Sequence, residues 1–120
     1  MKNELQEYVN SIREELIRLY ENDPSAEEME EAEENGESVS LLTYIGREAL
    51  DYEFAVSSRC EYLGAVVWVT LGGPNVCIDT RHGEVRGAWG TERASAWIPS
   101  EVCEEMDEFL REEFEIMRQG

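Results

Sequence analysis

The sequence predicts an α+β fold, in which an antiparallel meander of four to five strands is flanked by N-terminal helices and a C-terminal amphipathic helix. Apolar residues recur at three- and four-residue steps near both ends of the chain, whereas the period changes to two between them. Short polar or glycine-containing turns separate the alternating runs. Because the chain has 120 residues and is 42% hydrophobic, we predict one domain over residues 1–120, with helices in 1–50, the sheet in 51–98 and the last helix in 100–118.

The first fifty residues carry the pattern of three helices. The first helix is predicted from Lys2 to Tyr20, and Pro24 separates it from the next. Its apolar stripe consists of Leu5, Tyr8, Val9, Ile12, Leu16, Ile17 and Tyr20. Ser25 and Glu28 have the spacing of a capping box that opens a second helix. The few apolar residues of this second helix are chiefly Met29 and Ala32.

A third helical piece is predicted within residues 38–50. Ser38 is expected to cap its N-terminus, and Gly46 weakens its end. The apolar residues that it would bury are Leu41, Leu42 and Ile45.

Alternation of apolar and polar residues then predicts the strands of the sheet. Tyr52, Phe54 and Val56 would form the buried face of the first strand. Residues 62–71 are apolar on both faces, which predicts that they form the central strand. The remaining predicted strands cover 76–80, 84–89 and 93–98. Arg81-His82-Gly83 would make the tight hairpin between the third strand and the fourth.

Pro99 and Ser100 open the last predicted helix, which would lie across the sheet. The apolar stripe of this helix consists of Val102, Cys103, Met106, Phe109, Leu110, Phe114 and Met117. Its other positions are mostly acidic, so the helix is amphipathic.

The formal net charge of −18 is concentrated in the predicted helices. Residues 1–40 hold 13 acidic and 3 basic side chains, residues 41–100 hold 7 and 5, and residues 101–120 hold 8 and 2. Sixteen of the 18 excess charges therefore lie in the helical ends, whereas a net charge of about 2 to 8 already keeps a small domain soluble. Residues 21–38 hold nine carboxylates and no Lys or Arg, at a density comparable with phosphates on duplex DNA. This pattern predicts a mimic of a nucleic-acid backbone.

Other interpretations of the acidic helices remain open. A run of like charges is often a solvated face or a loose tail. Metal buffering and docking onto a basic host protein are further interpretations of the same residues.

Several functional classes are disfavoured by the sequence. Direct binding of nucleic acid is opposed by the net charge and by the scattering of the ten basic residues. The sequence has no D-x-D-x-D-G loop for calcium, and we expect neither a metal nor a cofactor. It also has no signal peptide and no apolar run long enough to span a membrane, and its three cysteines fit no disulfide framework. We therefore expect a cytoplasmic protein.

Residues 77–82 are the only segment with the parts of a catalytic site. Cys77 and Asp79 would face the same side of a strand, with the single histidine, His82, on the adjoining hairpin. A thiol, a carboxylate and an imidazole can form a cysteine nucleophile site. However, one short hairpin rarely encloses a pocket, so we expect Cys77 to be a packing residue and the protein not to be an enzyme. Gly72-Gly73 leads into a strand and lacks the P-loop pattern, so it predicts a hairpin and no phosphate site.

The three tryptophans allow two interpretations. Trp68, Trp89 and Trp97, together with Tyr62, could form an aromatic recognition surface on the sheet, but core packing beneath the first and last helices is the favoured prediction. The arginines of the predicted sheet could pair with the acidic helices within the molecule or in a second copy, so a homodimer is compatible with the sequence. These arginines are Arg81, Arg86 and Arg93.

The stretch over residues 51–110 resembles small acidic proteins encoded on mobile elements and phages of gut Firmicutes. The resemblance rests on Gly72-Gly73-Pro74-Asn75, Asp79-Thr80, residues 87–90, Arg93-Ala94 and the closing acidic helix. It covers about half of the chain and transfers no catalytic residue. What it implies is a setting in which antirestriction and anti-CRISPR proteins are common, some of them acidic mimics of nucleic acid.

These observations predict an acidic inhibitor whose helices occupy the basic nucleic-acid channel of a host defence nuclease. The predicted partner-binding residues are Glu27, Glu28, Glu30, Glu31, Glu34, Glu104, Glu105, Asp107, Glu108 and Glu112. The alternative is a non-catalytic interaction or regulatory module of a mobile element that binds its partner through the aromatic face of the sheet.

Overall fold

The computed structural model describes residues 4–22, 26–35 and 40–119. The elements in chain order are α1 (Glu4–Glu21), α2 (Ala26–Asn35), α3 (Leu41–Glu48), β1 (Asp51–Val56), β2 (Tyr62–Thr70), β3 (Asn75–Asp79), β4 (Glu84–Trp89), β5 (Glu92–Trp97) and α4 (Ser100–Gln119). The predicted α+β class, with helices before and after an antiparallel sheet, is confirmed. The side chains of Glu28, Met29 and Ala32 lie outside the described residues, as do Ser25 and Ser38, on which sequence predictions rest.

The five strands form one antiparallel sheet in the order β1-β2-β3-β4-β5. The meander is as predicted, but the prediction of β2 as the central strand was wrong, because β3 occupies the middle and β2 pairs with the edge strand β1. Four consecutive residues of β3, from Val76 to Asp79, are buried. Residues of β2 are apolar on both faces although the strand is not central. Val66 and Trp68 point away from the helices, and neighbouring side chains half-cover them.

Helices α1 and α4 pack on one face of the sheet and enclose the core. Helix α1 lies against β4 and β5, and α4 lies against β2. The buried residues of the two helices are Leu5, Val9, Ile12, Leu16 and Leu19 in α1, and Val102, Cys103, Met106, Leu110 and Phe114 in α4. They meet a sheet surface that includes Val67, Ile78 and Val85. Among the described residues, no helix is long and apolar enough to cross a membrane.

Helix α3 begins at Leu41, and its N-cap is Ser40 instead of the predicted Ser38. The Ser40 hydroxyl accepts a hydrogen bond from the backbone N–H of Thr43, and the Thr43 hydroxyl accepts one from the backbone N–H of Ser40. This reciprocal pair is a capping box made with threonine. With this start, Leu41 and Ile45 are buried, whereas Leu42, which was predicted to be buried, is exposed.

Several further apolar residues of the predicted stripes are exposed. In α4, burial stops at Phe114, so Met117 lies on the surface in the last turn. In β1, a register shift between Ala55 and Val56 disrupts the alternation and leaves Val56 exposed. Tyr8 and Tyr20 of α1 are also partly exposed, whereas Leu19, which was not in the predicted stripe, is buried.

Side chains of α1 cover the outer edge of β5. Gln6 Nε2 donates a hydrogen bond of 2.9 Å to the backbone carbonyl of Ser95, and Arg13 Nε donates to the carbonyl of Trp97. These carbonyls would otherwise be acceptors on an edge strand. The contacts therefore protect this edge from pairing with another strand and fix α1 on the sheet.

Candidate binding surfaces

The outer face of α4 is an acidic surface held on the core. The apolar stripe of the helix faces the sheet, and Glu104, Glu105, Glu108 and Glu112 are exposed on the side that faces away from it. Among the described residues, none of these four carboxylates makes an ion pair within 4.0 Å. The four charges are therefore available to a partner, and we call them the α4 acidic face.

Asp107 differs from the other predicted binding residues of α4. It is partly buried, and its Oδ1 accepts a hydrogen bond of 2.5 Å from the Tyr62 hydroxyl. The Arg111 guanidinium lies 5.2 Å from the centre of the Tyr62 ring. Burial and the bond to Asp107 raise the pKa of Tyr62 well above its usual value. Asp107 therefore fastens α4 to β2 within the molecule, and its carboxylate already has a partner.

Helix α2 carries six carboxylates and no basic residue over its ten positions. Glu27, Glu30, Glu31 and Glu34 are exposed, whereas the side chain of Glu28 lies outside the described residues. In the described part of the chain, these four exposed glutamates also make no ion pair. Helices α2 and α4 thus present exposed carboxylates that form no ion pair within 4.0 Å with another described residue.

The second candidate surface is the face of the sheet opposite α1 and α4. Residues directly opposite each other in an antiparallel sheet point to the same face, so the register of the strands defines this surface. We call it the open sheet face; its residues include Asp51, Glu53, Val66, Trp68, Asn75, Cys77, Asp79, Glu84, Arg86, Ala88, Arg93, Ser95 and Trp97. Most of them are partly or fully exposed.

A buried carboxylate lies on the central strand of the open sheet face, at the end next to the hairpin between β3 and β4. Asp79 is only 1% exposed, and its Oδ1 accepts a hydrogen bond of 3.0 Å from the backbone N–H of His82. Its Oδ2 is 2.8 Å from His82 Nδ1 and accepts a second bond from Arg86. Burial acts to raise the pKa of Asp79, but the bonds from Arg86 and His82 outweigh burial and hold the pKa below its ordinary value. The carboxylate therefore stays charged and fixes the hairpin between β3 and β4.

Cys77 is the neighbour of Asp79 on the same face, as the sequence predicted, but its thiol is not activated. Burial raises the pKa of Cys77 to about 11, and the opposing effect of Arg86 is smaller. At neutral pH the sulfur is therefore protonated, whereas a nucleophilic cysteine needs a lowered pKa. The imidazole of His82 is engaged by Asp79. What the fold assembles is an Asp79–His82–Arg86 cluster.

Arg86 belongs to this cluster although it lies outside the predicted segment of residues 77–82. The signal was available in the pattern, because a tight hairpin at 80–83 puts Arg86 opposite Cys77 on the neighbouring strand and diagonal to Asp79. The hollow beside the cluster has a volume of about 230 Å³ and is lined by Glu53, Val66, Arg81, His82 and other residues. Ligand pockets usually measure about 300–1,000 Å³. The hollow is therefore too small for most organic ligands.

The prediction that most tryptophans pack in the core was wrong. Trp68 and Trp97 lie on the open sheet face, and Trp97 is 73% exposed. Trp89 is on the helix-facing side but at the end of β4, where it is 46% exposed. The reason is strand parity, because both Trp68 and Trp97 alternate with residues that point to the helices. Trp68 Nε1 donates a hydrogen bond of 2.8 Å to Glu53, which holds its ring against the face.

Among the residues that the structure describes, no group of three or more His, Cys, Asp or Glu side chains could hold a metal ion. No family model, no curated protein and no solved structure matches this chain. The resemblance to proteins of mobile elements therefore stays a prediction.

Proposed function

We propose that this protein binds a basic protein surface through the carboxylates of α4 and α2, and that it thereby occupies the nucleic-acid channel of a nuclease. The observation that carries the proposal is the α4 acidic face, where four exposed carboxylates are held on a helix that the core fixes in position and make no ion pair with any residue that the structure describes. A fixed set of charges binds with a smaller entropic cost than a flexible tail does.

The spacing of these charges suits a site that binds phosphates. Glu104 and Glu112 are eight residues apart, so the four carboxylates lie within about 12 Å of helix axis at about 1.5 Å per residue. Over the three intervals between four charges, the mean spacing is about 4 Å of helix axis, comparable with the about 3.4 Å of duplex axis between successive phosphates of one DNA strand. Arginines arranged for a nucleic-acid backbone could therefore meet several of these carboxylates at once.

The same arrangement has a cost in the free protein. Glu104 and Glu108, and Glu108 and Glu112, are like-charged pairs at four-residue spacing, which destabilise a helix by about 0.2–0.5 kcal/mol each. A basic partner would remove this repulsion on binding. The attraction would also accelerate encounter, because opposite charges steer association.

The resemblance to proteins of mobile elements favours a host defence enzyme as the partner, of the kind that antirestriction and anti-CRISPR proteins inhibit. Such enzymes hold nucleic acid in positively charged channels. In this proposal the protein acts as a competitive inhibitor and performs no chemistry of its own.

Displacement of DNA tests the proposal. Fluorescently labelled duplex is bound to each member of a panel of purified restriction and RNA-guided nucleases, and its release by this protein is followed by anisotropy. The test variant replaces Glu104, Glu105, Glu108 and Glu112 with Gln, and a second replaces Glu27, Glu30, Glu31 and Glu34. A control variant replaces four other exposed glutamates, which are Glu4, Glu7, Glu14 and Glu92.

We expect the wild-type protein to displace DNA from at least one enzyme and the α4 variant to be weaker by at least about tenfold, or about 1.4 kcal/mol. The control variant, which loses the same charge, should keep most of the activity. Displacement from none of the enzymes, or equal weakening by test and control variants, would contradict the proposal.

A second candidate function is a non-catalytic interaction module that binds its partner through the open sheet face. The observation that favours it is the 73% exposure of Trp97, since exposed aromatic residues are common binding hot spots. Binding of this kind would be insensitive to salt and lost on Trp97→Ala, whereas binding through the acidic helices would weaken steeply with salt.

A further inference from the structure

We propose that the open sheet face is a homodimer interface, in which the sheets of two copies pack face to face with β1 of one copy opposite β5 of its partner. This interface lies on the side of the molecule opposite α4. It therefore does not depend on the acidic function proposed above.

The first argument is the distribution of charge. The open sheet face carries the carboxylates of Asp51, Glu53, Asp79 and Glu84 and the guanidinium groups of Arg86 and Arg93, a formal sum of −2. The whole chain has a net charge of −18. A second copy therefore meets far less repulsion on this face than on the helices.

The second argument is the order of the charges across the strands. Asp51 and Glu53 lie on β1 at one side of the face, whereas β4 and β5 at the other side carry Arg86, Arg93 and Glu84, a formal sum of +1. A two-fold axis parallel to the strands places the acidic side of each copy over the basic side of the other. An axis perpendicular to the strands places acidic over acidic and basic over basic. Because like charges across an interface are unfavourable, the pattern selects the first arrangement.

The third argument is the apolar and aromatic content of the face. In the selected arrangement, the central strand β3 faces itself, and Trp68 on β2 lies over β4 of the other copy, which carries Arg86. An arginine over a tryptophan ring is a favourable contact. Trp97, at the end of β5, lies over β1 of the other copy near Glu53. The most exposed aromatic side chain of the described residues is thereby covered.

The size of the face predicts a weak dimer. Five strands about 4.8 Å apart and about six residues long give a flat area of roughly 400–500 Å². This is smaller than the about 800 Å² per partner of a standard interface, so we expect a weak dimer with a dissociation constant in the micromolar range. Added salt should strengthen association because it screens the repulsion between two acidic molecules, which is the opposite of the effect expected for a basic partner.

Sedimentation analysis of the full chain at about 5–500 µM tests the association. The wild-type protein should shift from monomer to dimer over this range, and Trp97→Ala should weaken the dimer by at least about tenfold. Trp89→Ala is the matched control, since Trp89 is exposed but lies on the other face. A wild-type protein that stays monomeric throughout, or a dimer that Trp89→Ala weakens as much as Trp97→Ala does, would overturn the proposal.

A charge-exchange experiment tests the orientation. In the selected arrangement Asp51 of one copy is level with Ser95 of the other, two residues from Arg93 on the same strand. Asp51→Arg and Arg93→Glu should each abolish the homodimer, because positions 51 of one copy and 93 of the other then carry the same charge. A mixture of the two variants should form a heterodimer, in which both contacts pair opposite charges again. Unfolding curves check that each variant is folded. Failure of the folded variants to associate when mixed would overturn the proposed arrangement, whatever the outcome of the DNA-displacement assay.

Discussion

Asp79 joins two strands and a turn through a single carboxylate. It is buried, and its three donors come from the hairpin backbone, the His82 ring and Arg86 on β4. A charge taken out of water is tolerated when its hydrogen-bonding capacity is filled in this way. The composition of the cluster suggests catalysis, but its contacts are those of a structural link.

Replacing Asp79 with Asn should therefore lower the free energy of unfolding at pH 7 by about 1–3 kcal/mol, because donors of Arg86 and His82 lose a charged acceptor. The pKa of Asp79 is lowered in the folded state. The stabilisation is thus present above the unfolded pKa of about 3.9 and is lost as the pH falls through the folded pKa. Denaturant unfolding at pH 7 and at acid pH should show the difference between wild type and variant shrinking in acid. Asp51→Asn, at an exposed position, serves as the control, and an equal effect at both sites would contradict this role of Asp79.

The cysteines differ in reactivity for a physical reason. Burial raises the pKa of Cys77 and of Cys103 to about 11 in each case, whereas Cys60 is exposed. At pH 8 about one in a thousand of the buried thiols is a thiolate, so a thiol reagent should label Cys60 rapidly and the other two only on unfolding. Mass spectrometry of the labelled protein measures this, and Cys60→Ser should remove the rapid phase. Rapid labelling of Cys77 in the folded protein would instead support the hypothesis of a cysteine nucleophile site.

Cys77→Ser should leave partner binding unchanged.

At the scale of elements, the periodic segments were predictable, whereas the cap of α3 and the bulge in β1 were not. The strand at Glu84–Trp89 and the start of α4 at Ser100 agree with the sequence patterns, because alternation and a proline before a helix are local signals. The capping residue of α3 was misplaced by two positions, since Ser38 and Ser40 both fit the local pattern. The exposure of Val56 depends on a bulge that alternation does not reveal.

The contact between α1 and β4 depends on the absence of a side chain at Gly87. A Cβ atom there would lie 2.9 Å from Leu5 Cδ1, 3.1 Å from Val9 Cγ2 and 3.2 Å from Val76 Cγ2. We expect Gly87→Ala to destabilise the protein by about 1–3 kcal/mol, because these core atoms have to move.

Gly46→Ala is the matched change with the opposite expected sign. A Cβ atom at Gly46 would meet only Phe109, at 3.9 Å, and the position lies inside α3. Alanine in a helix is favoured over glycine by about 0.5–1 kcal/mol, so this variant should be more stable than wild type. Chemical denaturation of both variants checks the pair. A neutral or stabilising effect of Gly87→Ala would contradict the close packing of α1 on β4.

Helix α2 is the element with the densest negative charge. Replacing Glu27, Glu28, Glu30, Glu31 and Glu34 with Gln should keep the fold and raise the melting temperature slightly, because repulsion within the helix is relieved. In the displacement assay the same variant should be weaker by at least about tenfold if α2 contributes to the acidic surface. Unaltered displacement would remove α2 from the binding surface and leave the α4 acidic face as the mimic. Circular dichroism checks the fold of the variant.

At the scale of the whole molecule, the two faces of the sheet have different characters. One face carries the core and, outside it, the acidic α4; the other face is nearly neutral and carries Trp68 and Trp97. The concentration of negative charge in the helical segments could be predicted from the sequence, because it follows from counting the charged residues along the chain. The position of the tryptophans was not, because their burial depends on which face of the sheet the helices cover.

This division allows the acidic helices and the open sheet face to be tested separately. Substitutions in the α4 acidic face should change binding to a basic partner and leave self-association nearly unaltered. Substitution of Trp97 should do the reverse. Such independence is expected because the two surfaces share no residue.

The most direct test of the central claim is the salt dependence of binding to a nuclease from the displacement panel. We predict that the dissociation constant of the wild-type complex rises at least about tenfold between roughly 50 and 300 mM salt. The variant with Gln at Glu104, Glu105, Glu108 and Glu112 should bind more weakly and show a shallower slope, while the control variant at Glu4, Glu7, Glu14 and Glu92 keeps nearly the wild-type slope. A wild-type affinity that is insensitive to salt, or a slope that the α4 substitutions leave unchanged, would contradict the account.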